Sequence, residues 1–241
     1  MSEKFNTDMG KEPKSGFLAW LDNFWYHYKW HSIISLFLVF TISVCTLQMC
    51  SKESYDIHIL YAGSHAFSRQ SVDGDVPEYY KTKSTVSRFA SDFDGNGEVN
   101  VSLRDLFLPT TEQMKDLGES EYQRAYEDRT NITTIMASSD YFLMFLSPEV
   151  YESYKDERRF MNIAVLCPEL PESAFYGEGG MALKLSSLDA SDVSGLSSLP
   201  SDTVICLRST NFSSHLNKKS NKEAYERAEK TLLKLIEYSA Q

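Results

Sequence analysis

The sequence predicts an α/β protein in which a single N-terminal transmembrane helix is followed by one α/β sheet domain. Near the N-terminus, residues 32–50 form an uncharged apolar run. Beyond it, short apolar stretches rich in β-branched and aromatic residues alternate with helical patterns. The 241 residues are 42% hydrophobic and 24% charged, which excludes a disordered chain and a polytopic membrane protein.

The apolar run has the length of a membrane span. Residues 32–50 contain no charged side chain, and only Gln48 is strongly polar. As a helix, the run covers about 28 Å, close to the ~30 Å hydrocarbon core of a bilayer. A core helix of a soluble protein usually shows a polar face, and this run has none. We therefore predict a transmembrane helix over residues 32–50.

Aromatic side chains are concentrated just before the run. Residues 17–30 hold seven of them, including all three tryptophans of the protein. Such rings favour the headgroup level of a bilayer. We interpret residues 1–31 as a cytoplasmic and interfacial segment whose helix, from about Ser15, lies along the membrane surface before entering the span. The alternative is an ordinary aromatic-rich core helix.

The charge distribution predicts the orientation. Four lysines precede the run, whereas the twenty residues after it carry only Lys52 and Arg69. Because Lys and Arg favour the cytoplasmic side, we expect a cytoplasmic N-terminus and an extracytoplasmic domain over residues 51–241. The run ends in Leu-Gln-Met-Cys, without a small-x-small cleavage site, so we expect it to remain as a signal anchor.

The rest of the chain predicts a sheet covered on both faces. The stretches that predict strands are residues 55–63, 98–108, 141–146, 163–166, 181–185 and 203–207. Helices are predicted over residues 77–90 and 120–137 and from Ser220 onward, the last two opening with capping-box patterns. Residues 186–201 are Ser-rich and predict a surface connection.

A D-x-D-x-N-G motif is the sharpest local signal for a metal. It matches the first half of an EF-hand or dockerin-type calcium loop, with the candidate ligands Asp92, Asp94, Asn96, Glu98 and Asn100. The closing position, which needs a bidentate carboxylate, is Leu103, and Asp105 comes two residues late. We therefore expect weak Ca²⁺ binding at most and no other cofactor. The alternative is an Asx- and Gly-rich turn.

Catalytic signals are absent from the sequence. It contains no G-x-S-x-G, S-x-x-K, H-E-x-x-H or P-loop motif. Gly177, Gly179 and Ala182 have the spacing of a dinucleotide fingerprint, but they precede a strand pattern, so we interpret them as a glycine loop. Cys167 and Cys206 lie in or beside apolar stretches and are expected to be buried thiols. We predict that the protein is not an enzyme and assign no catalytic residue.

One stretch carries a family resemblance. Residues 132–154, ITTIMASSDYFLMFLSPEVYESY, resemble the part of ABC-transporter extracytoplasmic solute-binding proteins where a strand delivers a ligand-side loop into a helix. LDNFWYHYKWH and the apolar run resemble uncharacterised single-span membrane proteins of clostridia-like Gram-positive bacteria. Two-lobed binding proteins need more chain than residues 51–241 supply. The resemblance therefore implies one lobe of a periplasmic-binding-protein fold.

These observations predict a bacterial single-pass membrane protein whose extracytoplasmic domain is a binding or interaction module. The alternatives are a reduced solute-binding accessory of a membrane transporter and an enzyme with an unrecognised site. The expected partners are the lipid bilayer and another membrane or cell-envelope protein. A net charge of −10 argues against nucleic acid.

Ser147 is the candidate ligand-binding residue. It follows the predicted strand 141–146, and open α/β sheets bind ligands outside the carboxyl ends of their strands. The alternative is that Ser147 only caps the helix that Pro148 opens.

Overall fold

The computed structural model describes residues 16–50, 54–71, 74–137, 141–155, 159–209 and 219–238. The chain divides into two compact units, Met1–Glu53 and Ser54–Gln241. The first unit contains helix α1, and the second contains the sheet and every other element.

Helix α1 runs without interruption from Gly16 to Cys50 over 35 residues. Its sequence contains no proline and no internal glycine that would break it. Within α1, Asn23–Leu47 is long and apolar enough to span a membrane, and no part of that stretch is buried by the protein. The predicted apolar helix is therefore confirmed. The aromatic residues and the span share this one continuous helix, which begins close to the expected Ser15. The position of its first part along a membrane surface stays a prediction.

The second unit is built on a five-stranded mixed sheet with the order β2-β1-β3-β5-β4. The strands are β1 Ile57–Gly63, β2 Val101–Phe107, β3 Leu143–Leu146, β4 Ala182–Lys184 and β5 Val204–Leu207. Strands β2 and β3 both pair with β1 in parallel, whereas β5 is antiparallel to β3 and β4. The predicted single α/β sheet is confirmed at this level.

The helices of the second unit follow the predicted pattern in part. They are α2 Glu78–Phe89, α3 Gln113–Asp116, α4 Glu119–Ala137, α5 Pro148–Tyr154, α6 Ile163–Leu166 and α7 Lys219–Glu237. Helices α4 and α7 begin one residue before the serines that were predicted to cap them. Residues 163–166 were predicted as a strand and form α6 instead. The Asn162 side chain accepts a hydrogen bond from the Val165 amide (3.3 Å) and starts this turn.

Two apolar cores lie on opposite faces of the sheet, because successive side chains of a strand point to opposite sides. On one face, Ile59 of β1 packs in the same cluster as Val86 of α2 and Leu232 of α7. On the other face, Leu60 belongs to a cluster with residues of α4 and α5. A buried leucine or isoleucine contributes about 1.5–3 kcal/mol, so these two cores hold the helices on the sheet.

The outer edge of β2 is closed by side chains. The Tyr79 hydroxyl donates a hydrogen bond to the Leu103 carbonyl (2.7 Å), and the Asp128 carboxylate accepts one from the Phe107 amide (2.9 Å). The Asp105 side chain, 2% exposed, forms ion pairs there with Arg69 of the loop after β1 and with Arg124 of α4. Exposed strand edges invite pairing with other chains, and polar and charged groups at this edge oppose it.

Candidate functional site

The parallel half of the sheet places its switch point between β1 and β3. The chain leaves β1 through α2 to reach β2, and it leaves β2 through α4 to reach β3 on the other side of β1. Helices α2 and α4 cover opposite faces of the sheet. Ligands of open α/β sheets bind outside the carboxyl ends of the strands where the connections diverge in this way.

The loops after β2 and β3 are both fixed to the end of β1. The Leu108 amide donates a hydrogen bond to the Gly63 carbonyl (2.8 Å), and the Ser147 amide donates one to the Ala62 carbonyl (2.9 Å). Gly63 leaves no room for a side chain, because an added Cβ would lie 2.7 Å from the Tyr61 hydroxyl oxygen. The carboxyl edge is therefore a tightly fitted part of the fold.

A cavity of about 290 Å³ opens at this edge, between the loop after β2, α4 and α5. We call it the carboxyl-edge cavity. Its apolar lining consists of Leu108, Pro109, Ile132 and Val150. Its polar lining consists of Thr110, Thr111, Arg129, Glu149, Ser153 and Tyr154. Ile132 and Val150 are buried, whereas the two charged side chains belong to exposed residues, so an apolar floor is surrounded by a polar rim.

Two opposite charges face this cavity without neutralising each other. The Arg129 guanidinium donates a hydrogen bond to the Pro109 carbonyl (3.2 Å), which ties the loop after β2 to α4. Within the described part of the chain, neither Arg129 nor Glu149 forms an ion pair. The Tyr154 hydroxyl lies 3.3 Å from the Thr133 hydroxyl of α4, which ties α5 to α4.

Ser147 lies beside the cavity but does not line it. Its hydroxyl oxygen accepts a hydrogen bond from the Val150 amide (3.4 Å), and Pro148 occupies the first position of α5. Ser147 therefore acts as the helix cap that the sequence offered as its alternative role. The residues that do line the cavity were missed. Thr110 and Thr111 follow a predicted strand, and their position after its carboxyl end could have identified them. Arg129 lies within a helix, where no sequence feature marks it as a cavity residue.

A second, larger cavity of about 640 Å³ lies beside the glycine loop. Gly177 and Gly179 have positive φ angles of 68° and 92°, and the loop precedes β4, as the sequence predicted. Glu172 and Glu178, the acidic residues of its lining, are both exposed. This glycine-loop cavity lies outside the switch point and lacks a basic side chain among its lining residues.

The predicted calcium loop forms a turn held by its own side chains. The Asp92 carboxylate accepts hydrogen bonds from the Gly95 amide (2.7 Å) and the Gly97 amide (2.8 Å). The Asn96 side chain accepts one from the Glu98 amide (2.8 Å). Such Asx turns satisfy the backbone of the loop without an ion. Glu98 does not belong to the group of carboxylates that the loop brings together.

The third carboxylate of that group comes from outside the loop. Oxygen atoms of Asp56, Asp92 and Asp94 lie within 4.8 Å of one another. Asp56 precedes β1 and is 2% exposed. Leu103, the expected closing position, lies in β2 with its side chain in the core. The carboxylates that could hold a cation together are therefore these three aspartates, and Asp56 lies outside the sequence motif.

The groups around the loop have opposing effects on its attraction for a cation. Hydrogen bonds from the Ser54 hydroxyl and the Asn96 amide hold the pKa of the Asp94 carboxyl below its usual range, which favours the charged form. The Arg227 guanidinium lies 5.1 Å from the centre of the Phe93 ring, and the Lys230 ammonium lies 5.8 Å from it. These two cations of α7 weaken the attraction of the loop for a metal ion.

The two described cysteines of the second unit are buried and free, as predicted. Burial raises the pKa of the Cys167 thiol, and it raises that of Cys206 well above the usual value. Both side chains are therefore protonated thiols at neutral pH, which are poor nucleophiles. His65 lies 2.7 Å from the Glu78 carboxylate, at the start of α2.

The chain matches no protein-family model, no curated protein and no solved structure. The resemblances to solute-binding proteins and to clostridial membrane proteins stay predictions. Any assignment of function to this α/β protein with an N-terminal apolar helix rests on the geometry of its own residues.

Proposed function

We propose that this is a single-pass membrane protein whose α/β unit binds a small ligand outside the cytoplasm and has no catalytic activity. The carboxyl-edge cavity is the observation that carries this proposal. It lies at the carboxyl edge of the parallel strands, between the loop after β2 and the helices α4 and α5, and it combines an apolar floor with a few convergent polar groups, as ligand sites do.

The exposure of α1 supports the membrane anchor. Its aromatic residues stack on one another along the helix, with the Phe24 ring 5.6 Å from Trp20 and 5.4 Å from Tyr28, yet Trp20 is 59% exposed. A bilayer would remove these side chains and those of the span from water. Each Å² of apolar surface removed from water contributes about 25 cal/mol of stabilisation. The lysine excess before the span supports an outward-facing C-terminal unit.

The chemistry of the cavity favours binding over catalysis. Its lining offers hydroxyl, guanidinium and carboxylate groups, and neither histidine nor cysteine is among them. The nearest strand-end hydroxyl, that of Ser147, already accepts the capping hydrogen bond of α5. A nucleophile needs an adjacent base within hydrogen-bond reach, and Ser147 has an amide donor in that place. A transporter accessory would use the same cavity for the same purpose.

The experiment blocks the cavity. Ser153 lines it from α5, whereas Glu152 lies next to Ser153 on the same helix and is not among the lining residues. Full-length protein in lipid nanodiscs is exposed to a panel of small metabolites, and bound compounds are identified by mass spectrometry. We expect the wild type and Glu152→Trp to retain the same compound and Ser153→Trp to lose it. Equal retention by Ser153→Trp would contradict the proposal, as would retention of no compound by the wild type.

A further inference from the structure

We infer that the ligand of the carboxyl-edge cavity is a small zwitterion of the free amino acid class, with its carboxylate at Arg129 and its ammonium group at Glu149. This inference rests on the proposed function and adds the class of ligand. It starts from the two charges on the rim, because a cavity with one cation and one anion selects for a molecule that carries both.

Arg129 has the donors that a carboxylate needs. A guanidinium carries five N–H donors in a planar fork, and the described contacts of Arg129 use one nitrogen, for the Pro109 carbonyl. That bond holds the side chain against the loop after β2 and so reduces the cost of ordering it when a ligand binds. The remaining donors can contact both oxygens of a carboxylate.

Glu149 has the complementary acceptor. It lies in the first turn of α5, and its carboxylate accepts no hydrogen bond within the described part of the chain. The ammonium group of Lys155, the residue after α5, pairs with Glu152 instead (2.5 Å). The charge of Glu149 is therefore available to an ammonium group, which brings three N–H donors.

Other classes of ligand leave one of these charges without a partner. A phosphate or dicarboxylate placed at Arg129 would be repelled by Glu149, and an organic cation placed at Glu149 would be repelled by Arg129. A neutral ligand would leave both rim charges to water and would gain no charge-assisted hydrogen bond from either of them. A zwitterion provides a partner for each charge.

Size and lining limit the ligand further. A volume of about 290 Å³ lies at the lower end of ligand pockets, which span roughly 300–1,000 Å³. The buried side chains of Ile132 and Val150 offer an apolar floor for the rest of the molecule. The cavity therefore fits a free amino acid with a small or apolar side chain better than a peptide.

The test removes one ligand charge at a time. Isothermal titration calorimetry on full-length protein in nanodiscs compares L-alanine and L-leucine with N-acetyl-L-leucine, L-leucine methyl ester and the doubly blocked N-acetyl-L-leucine methyl ester. We expect at least one free amino acid to bind. We expect each singly blocked form to bind about tenfold more weakly or worse than L-leucine, because each loses a hydrogen bond between charged groups.

Variants of the protein test which residue binds each charge of the ligand. Arg129→Gln should remove the difference between L-leucine and its methyl ester, and Glu149→Gln should remove the difference between L-leucine and N-acetyl-L-leucine. The matched controls Arg88→Gln and Glu152→Gln change exposed charges outside the cavity and should leave every affinity unchanged.

The outcomes separate the inference from the proposed function. If the doubly blocked ester binds as tightly as L-leucine, and Ser153→Trp abolishes that binding, the zwitterion is wrong while the cavity remains a binding site. If no free amino acid binds but another compound is retained by the wild type and lost in Ser153→Trp, the zwitterion is again wrong and the cavity is again a binding site. If no compound of any class binds in the carboxyl-edge cavity, both statements fail.

Discussion

Replacing Asp56 by alanine should destabilise the second unit, because this one carboxylate fixes the acidic loop to the start of β1. Its two oxygens accept hydrogen bonds from the Phe93 amide (2.7 Å) and the Asn100 amide (2.8 Å). The neighbouring backbone adds a further bond, from the Asp56 amide to the Asn100 carbonyl (2.8 Å). Asp56 is almost fully buried, so water cannot simply replace its carboxylate.

The magnitude follows from the groups left without a partner. Each partly buried N–H that loses its acceptor costs about 1–3 kcal/mol. Asp56→Ala removes the acceptor of the Phe93 and Asn100 amides and of a third, longer hydrogen bond from the Asp94 amide (3.4 Å). We therefore expect a loss of about 2–4 kcal/mol in the free energy of unfolding, out of roughly 5–15 kcal/mol for a typical domain. Asp92→Ala, the matched control, removes bonds within an exposed loop and should cost about 1 kcal/mol or less.

Urea unfolding of the excised Ser54–Gln241 unit, followed by far-ultraviolet circular dichroism, measures both variants. Tryptophan fluorescence is unsuitable, because all three tryptophans lie in α1. A loss below about 1 kcal/mol for Asp56→Ala, or an equal loss for Asp92→Ala, would refute the reasoning that Asp56 is the structural anchor of the loop.

Three further predictions follow from the same structure. Millimolar Ca²⁺ should shift the melting temperature of the wild type little. Because Leu103 is buried in the core, Leu103→Glu should destabilise the protein instead of completing a calcium site. A calcium-dependent rise in the stability of this variant would contradict this prediction. A chain that starts at Ser51 should be soluble and unfold cooperatively, since the second unit contains its own cores; a molten spectrum without detergent would show that α1 contributes to them. Burial raises the pKa of Tyr225 from 10.0 to about 12, so its contribution to stability is complete below pH 10 and is lost as the pH rises towards 12. Tyr225→Phe should lose less stability than the wild type between those two pH values in urea titrations, and an identical slope would show that Tyr225 does not titrate as described.

The fold was predictable wherever the apolar pattern of a stretch and its length indicated the same element. The stretches 55–63 and 203–207 contain β1 and β5, because β-branched and aromatic runs of this length fit a covered sheet. The stretch 163–166 was predicted wrongly for a physical reason. Four apolar residues fit a buried strand or one helical turn equally well, and the Asn162 cap decides for the turn.

The candidate site was predictable only in its location. The rule for open α/β sheets led to the carboxyl end of β3, and the cavity lies beside that end. Its charges could not be found, because Arg129 and Glu149 line one cavity only when α4 and α5 pack on the same face of the sheet. Asp56 was missed for the same reason. It reaches the acidic loop through the pairing of β1 with β2 and not through sequence spacing.

The central claim is tested most directly by locating the backbone amides that a bound ligand protects from hydrogen exchange. Hydrogen–deuterium exchange of the full-length protein in nanodiscs, with and without a compound retained by the wild type, reports this location. We predict slower exchange in residues 108–111 and in α5, which line the carboxyl-edge cavity, and unchanged exchange around Gly177–Gly180. Protection confined to the glycine-loop cavity, or no protection at either place, would contradict a binding site at the carboxyl edge of the sheet.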